Sequence, residues 1–118
     1  MASLNAFLSV MQEFLDELKS VFPDEKKIAV YEASYKNLKK ANPRKILNIF
    51  LENTNPHSKK IVNRDESLIL SGELEFLSEL NIDKCWGNAS DRTKDAIWQY
   101  MNTLYVLATT ISSIPSNL

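Results

Sequence analysis

The stretch LNAFLSVMQEFLDELKSVF, Leu4 to Phe22, decides the fold class. Leu4, Phe7, Leu8, Met11, Phe14, Leu15, Leu18, Val21 and Phe22 recur at spacings of three and four. That period draws one apolar stripe along a helix. Glu13, Asp16, Glu17 and Lys19 fall largely off the stripe. Ser3 is placed to cap the start, and Pro23 ends the run. A stripe of this kind needs an apolar partner, so the rest of the chain is read for what covers it.

The far end supplies a second long helix. Ser90 or Asp91 caps it, and Ile97, Trp98, Met101, Leu104, Tyr105, Ala108 and Ile111 form its stripe. Pro115 is expected to end it, with Ser116 to Leu118 frayed. Between the two, a helix from about Asp24 to Lys40 has Ile28, Tyr31, Tyr35 and Leu38 on one side. Asn42-Pro43 stops it and starts another, with Ile46, Leu47, Phe50 and Leu51 inward. Asn55-Pro56 is expected to start a fourth, short helix containing Ile61 and Val62. No single period fits 65–89, which is read as one or two short helices and a loop over 83–88. A strand over 74–77 stays open.

The expected architecture is all-α: a single domain, 1–118, forming a compact bundle of about five helices. Its long first and last helices pack together, with the shorter ones between. The two glycines, Gly72 and Gly87, are too few for a hairpin-rich fold. They also leave no phosphate loop or dinucleotide fingerprint. One cysteine, Cys85, permits no intrachain disulfide and fits a reducing compartment. The N-terminus has no signal-peptide pattern, and no apolar run is long enough to span a bilayer. An intracellular, unsecreted protein is therefore expected, with the Asn88-Ala89-Ser90 sequon silent.

The net charge of −1 conceals an asymmetry. Residues 26–64 carry +8, between a first segment at −4 and a last segment at −5. The cations cluster near the two Asn-Pro pairs. Lys39 and Lys40 precede the first, and Arg44 and Lys45 follow it. His57, Lys59, Lys60 and Arg64 follow the second. A helix N-terminus is already electropositive, so cations there are unfavourable unless an anion answers them. Two sources of that anion remain open. One is internal: Asp65, Glu66 or the acidic first helix. The other is external: an acidic protein surface or nucleic-acid phosphate. The eight residues Lys39, Lys40, Arg44, Lys45, His57, Lys59, Lys60 and Arg64 are thus the candidate anion- or partner-binding set.

Catalysis finds little footing. One His and one Cys cannot build a zinc site, and no cofactor is expected. Cys85 beside Trp86 reads as a buried small hydrophobe rather than a nucleophile with His57 as base. Asp65-Glu66 reads as a helix cap rather than an acid–base pair. Tyr31 and Tyr35 read as core residues rather than a stacking platform for bases.

Pro56-His57-Ser58, Asn63-Arg64-Asp65-Glu66-Ser67, Trp86 and Lys94-Asp95-Ala96-Ile97-Trp98 resemble the motifs of an uncharacterised family of small helical proteins of nucleocytoplasmic large DNA viruses, the giant viruses. The resemblance covers about the second half of the chain. It implies a viral protein acting in the host cytoplasm or virion, and it brings no mechanism. The function expected is a non-enzymatic interaction module. It binds a protein partner or itself through a charged surface, with no membrane or small-molecule substrate involved. The alternative is an accessory nucleic-acid-binding protein using the basic segment 36–64.

Overall fold

The computed structural model describes residues 3–112. The expectations for Pro115 and the last residues lie outside them. Helix α1, Leu4–Val21, begins where Ser3 Oγ accepts from the Ala6 N–H at 3.1 Å. Its stripe is buried from Phe7 through Leu18. The partner is the last helix, α8, Asp91–Ser112, which buries Ile97, Trp98, Met101, Leu104, Ala108 and Ile111. Phe14 stacks on Tyr100 across this seam, ring centroids 5.0 Å apart. The first and last helices pack together as their stripes require.

Helix α2 runs Lys26–Ala41, with Glu25 as N-cap, and α3 runs Pro43–Thr54, with Asn42 as N-cap. Asn42 also ends α2, so the two helices meet at a single-residue corner. Helix α3 lies against α1, α2 and α8 and completes the core with Ile46, Leu47, Phe50 and Leu51. Helix α2 is more peripheral and buries only Ile28, Glu32 and Tyr35.

Glu32 was not foreseen. It is 8% exposed, yet it carries a charge. Lys19 of α1 donates to one oxygen at 2.8 Å, and the Gln12 amide donates to the other at 2.7 Å. These polar bonds fasten α2 to α1 where apolar burial is thin. The Lys19 hydrogen bond, outweighing burial, holds the Glu32 carboxyl below the usual carboxylate range, and Gln12 adds to it. Its folded pKa is thus below the unfolded value. The stabilisation is present above about 4.5, the ordinary carboxyl value, and is lost as pH falls through the folded value. Glu25 and Asp65 are depressed in the same direction. The melting temperature is therefore expected to drop on acidification, and Glu32→Gln to flatten part of that drop. Parallel acid titrations by thermal melting check it; identical profiles would remove Glu32 from the account.

The region 63–90 resolves into short turns of helix: α5, Glu66–Leu70; α6, Glu75–Glu79; α7, Ile82–Cys85; and a 3₁₀ turn at Trp86–Asn88. No strand occurs among the described residues, so 74–77 belongs to α6 and its cap. Sharp reversals separate the pieces. Arg64, Gly72 and Asn81 all have positive φ. Arg64 closes the preceding helix, α4 (Ser58–Val62), in a Schellman pattern. Asp65 N–H donates to Lys60 O at 2.9 Å, and Arg64 N–H donates to Ile61 O at 3.2 Å.

The expected helix start at Asn55-Pro56 is corrected. Asn55 is helical, φ −53° and ψ −44°, and α3 passes through it into a 3₁₀ turn, Asn55–His57, and then into α4. The Asn55 side chain caps nothing; its Oδ1 accepts from Tyr105 OH of α8 at 3.0 Å. Asn102 Nδ2, also on α8, donates to Ile61 O at 3.1 Å. Tertiary bonds to α8 thus hold Asn55 in a conformation that a residue before proline ordinarily avoids.

Candidate interaction surface

The eight sequence candidates separate into two groups. Lys39 and Lys40, in the last turn of α2, and Arg44 and Lys45, in the first turn of α3, stand exposed around the Asn42 corner. Among the described residues, no carboxylate lies within 4.0 Å of these four cations. The other group lies beyond α3, a helix of 12 residues and so about 18 Å long. There, Lys60 Nζ is 3.6 Å and His57 Nδ1 4.0 Å from Glu73 Oε2. Arg64 pairs with Asp95 of α8. Lys59 is exposed with no such partner among the described residues, beside Ser58, Val62 and Asn63 in a shallow depression.

Three of the second group, His57, Lys60 and Arg64, therefore have internal answers, but not from the residues the sequence reading names. Asp65 is occupied as the cap of α5, accepting from the Ser67 N–H at 3.0 Å and the Ser67 hydroxyl at 2.7 Å. Glu73 and Asp95 act instead. Both arrive through long-range folding, which no local spacing announces.

Arg64, Trp86, Lys94, Asp95 and Trp98, five residues of the motifs quoted above, make pairwise contacts along the face of α8. Arg64–Asp95 ties the 63–67 segment to α8. One turn along, Trp86 meets Trp98 edge-to-face at 5.9 Å, and the Lys94 ammonium sits 5.5 Å from the Trp86 ring centroid. Trp86 and Trp98 are both buried, so these contacts weld the short turns of 63–90 onto α8.

Between α2, α3 and α6 lies a cleft of about 220 Å³ that the sequence reading missed. Its walls include Tyr31, Leu38, Ile46, Ile49 and Phe76, with Glu75 and Glu79 at the α6 side. The helical spacing of Tyr31 and Leu38 with Ile28 and Tyr35 predicts core positions for both. They are only partly buried, because among the described residues α6 covers just one end of the outer side of the α2–α3 pair. Burial, then the Glu79 charge, raises the Tyr31 phenol far above its ordinary value. Partial desolvation, then the neighbouring Glu75 charge, raises the Glu79 carboxyl. Tyr35 is committed to the fold: its hydroxyl donates to Leu8 O at 2.8 Å, and burial lifts its pKa to about 12. Tyr35 is thus bonded inward, and Tyr31 lies in the wall of the cleft.

A second, wider hollow of about 620 Å³ contains Cys85 and Glu25. The thiol donates to Glu25 Oε2 at 3.9 Å. Burial, followed by the Glu25 charge, pushes the thiol pKa up, which disfavours the nucleophilic thiolate. His57 is engaged by Glu73, not by the thiol. Among the described residues, no group of three or more His, Cys, Asp or Glu side chains could hold a metal ion. No described helix is long and apolar enough to cross a membrane. Comparison of the chain with protein-family models, curated proteins and solved structures finds no match.

Proposed function

We infer that this chain is a non-enzymatic interaction module whose charged surface meets an acidic protein or a second copy of itself. The observation that carries this reading is the exposed Asn42 corner, where Lys39, Lys40, Arg44 and Lys45 converge with no carboxylate partner among the described residues. Acids do answer Lys60 (Glu73), Arg64 (Asp95) and Lys19 (Glu32), whereas the corner gathers four of the cations without an acid partner among the described residues, a set that also includes Lys26, Lys27, Lys59 and Arg92. Charges left unpaired at an exposed corner steer encounter and orientation more than they stabilise a fold. The resemblance to giant-virus proteins adds a setting, the cytoplasm of an infected cell or the virion.

The nucleic-acid alternative draws on the same four cations. It is disfavoured by the inward commitment of Tyr35 and by the internal pairing of Lys60 and Arg64, which shortens the stretch of free positive charge. Light scattering after size exclusion, at low and high salt, tests the choice, with polyglutamate, short duplex DNA and short duplex RNA as probes. Salt-sensitive binding of polyglutamate, without a stable nucleic-acid complex at physiological salt, is expected. A stable DNA or RNA complex would transfer the corner to the alternative.

Arg44→Glu combined with Lys45→Glu is expected to leave the fold intact, because both side chains are exposed and unpaired among the described residues. Surface changes of this kind shift stability by about 0.5 kcal/mol or less. Binding of the acidic probe is expected to disappear. Unfolding of the variant under conditions where the parent is stable would make the corner structural instead.

A further inference from the structure

We propose that a second copy of this chain seats on the cleft between α2, α3 and α6, related by a two-fold axis near Ile49, so that the Asn42 corner of each copy meets the Glu75–Glu79 rim of the other. This deepens the interaction reading and rests on it. The cleft is apolar at its middle, where Ile49 is 41% exposed. Its lining carries Glu75 and Glu79 toward one end and no cation; the cations of the Asn42 corner stand outside it, beyond the other end. Leu38 and Ile46 mark that other end, each next to the cations that flank Asn42. Phe76 marks the acidic end, in contact with Tyr31 at 5.6 Å and with Phe50 at 5.5 Å. Those contacts draw together the parts of α2 and α3 remote from Asn42, and they place Glu75 and Glu79 there.

Neither set of charges is satisfied among the described residues. Among the described residues, no cation lies within 4.0 Å of Glu75 or Glu79, and no carboxylate lies that near to Lys39, Lys40, Arg44 or Lys45. A two-fold interface uses the same patch on both copies, so the patch must complement itself. A strip that is positive at one end, apolar in the middle and negative at the other does so in an antiparallel arrangement. Each end then finds its opposite, and the two Ile49 side chains meet near the axis. The raised Glu79 carboxyl fits this, since an approaching cation relieves the strain that burial and Glu75 impose.

Charge reversal at each end, alone and in mixture, tests the geometry. Glu75→Lys with Glu79→Lys makes both ends positive. Lys39→Glu, Lys40→Glu, Arg44→Glu and Lys45→Glu together make both ends negative. Sedimentation at high micromolar concentration and low salt is expected to give twice the chain mass for the parent. Each reversed variant, with its helical circular dichroism retained, is expected to lose more than about tenfold in self-affinity. An equimolar mixture of the two is expected to regain the dimer, which a misfolded variant could not do. Ile49→Asp is expected to abolish it.

A parent monomeric at every concentration overturns the proposal, as does a dimer indifferent to Ile49→Asp or a mixture that fails to pair. A cleft that instead takes an apolar amine such as phenethylamine, with the chain remaining monomeric, overturns it too. Should the chain stay monomeric yet bind polyglutamate through Arg44 and Lys45, the second copy is excluded and the interaction reading stands.

Discussion

Replacing Phe14 by alanine is expected to cost about 3–5 kcal/mol, the range for deleting a buried aromatic ring from a packed core. Phe14 is 0% exposed. Its ring stacks on Tyr100 of α8 at 5.0 Å and lies 6.1 Å from Phe76 of α6. One side chain therefore joins the first helix, the last helix and the short turns between them. Truncation loses the transfer energy of the ring and leaves a cavity that three rigid elements cannot close together. An ordinary domain has only about 5–15 kcal/mol in total, so the variant is expected to melt far below the parent. Urea unfolding followed by circular dichroism measures the cost. Glu13→Ala, exposed one residue earlier on the same helix, is the control and should shift stability by about 0.5 kcal/mol or less. A loss at Phe14 no larger than at Glu13 would mean that the α1–α8 seam is not the centre of the core.

The second large effect is expected at Trp86. The segments around it, Ile82–Cys85 and Trp86–Asn88, are four and three residues long. Helices that short cannot sustain themselves, since each must meet the cost of nucleation with almost no propagation. Their order comes from tertiary packing, and Trp86, 1% exposed, supplies much of it. Trp86→Ala is expected to cost about 3–5 kcal/mol. Lys94→Met, which removes the cation over the ring but keeps a long apolar chain, should cost only about 0.5–1 kcal/mol. Hydrogen exchange should show 82–90 opening first in the alanine variant. A Trp86→Ala protein as stable as the parent would detach the tryptophan pair from the fold. The motif residues would then need a role other than structure.

Much of the fold was legible because the long helices carry their own periodicity. The spacing from Leu4 to Phe22 specifies a helix whatever surrounds it, and the stripe from Ile97 to Ile111 specifies another. Ser3 and Asn42 cap as local rules expect. Residues 65–89 were legible only in outline, because Leu74, Phe76, Leu77, Leu80 and Ile82 are buried from several directions at once. Burial on all sides erases the stripe on which period reading depends. Asn55-Pro56 misled for a related reason. The Asn-Pro pair favours a helix start locally, but Tyr105 and Asn102 on α8 hold the chain in a continuing helix.

The candidate surface divides along the same line. The sequence by itself determined that the chain is helical, that its ends carry the long apolar stripes, and that its positive charge lies in the middle. These follow from neighbours within one or two turns, where chemistry and spacing act directly. Only the tertiary structure decided which cations are spent. Glu73 and Asp95 reach Lys60 and Arg64 across the fold, while the Asn42 corner finds no carboxylate among the described residues. Likewise, only packing left α2 half-covered and opened the cleft beside it. Ion pairs and clefts are set by distances between residues remote in sequence, and those distances exist only once the helices have chosen their partners.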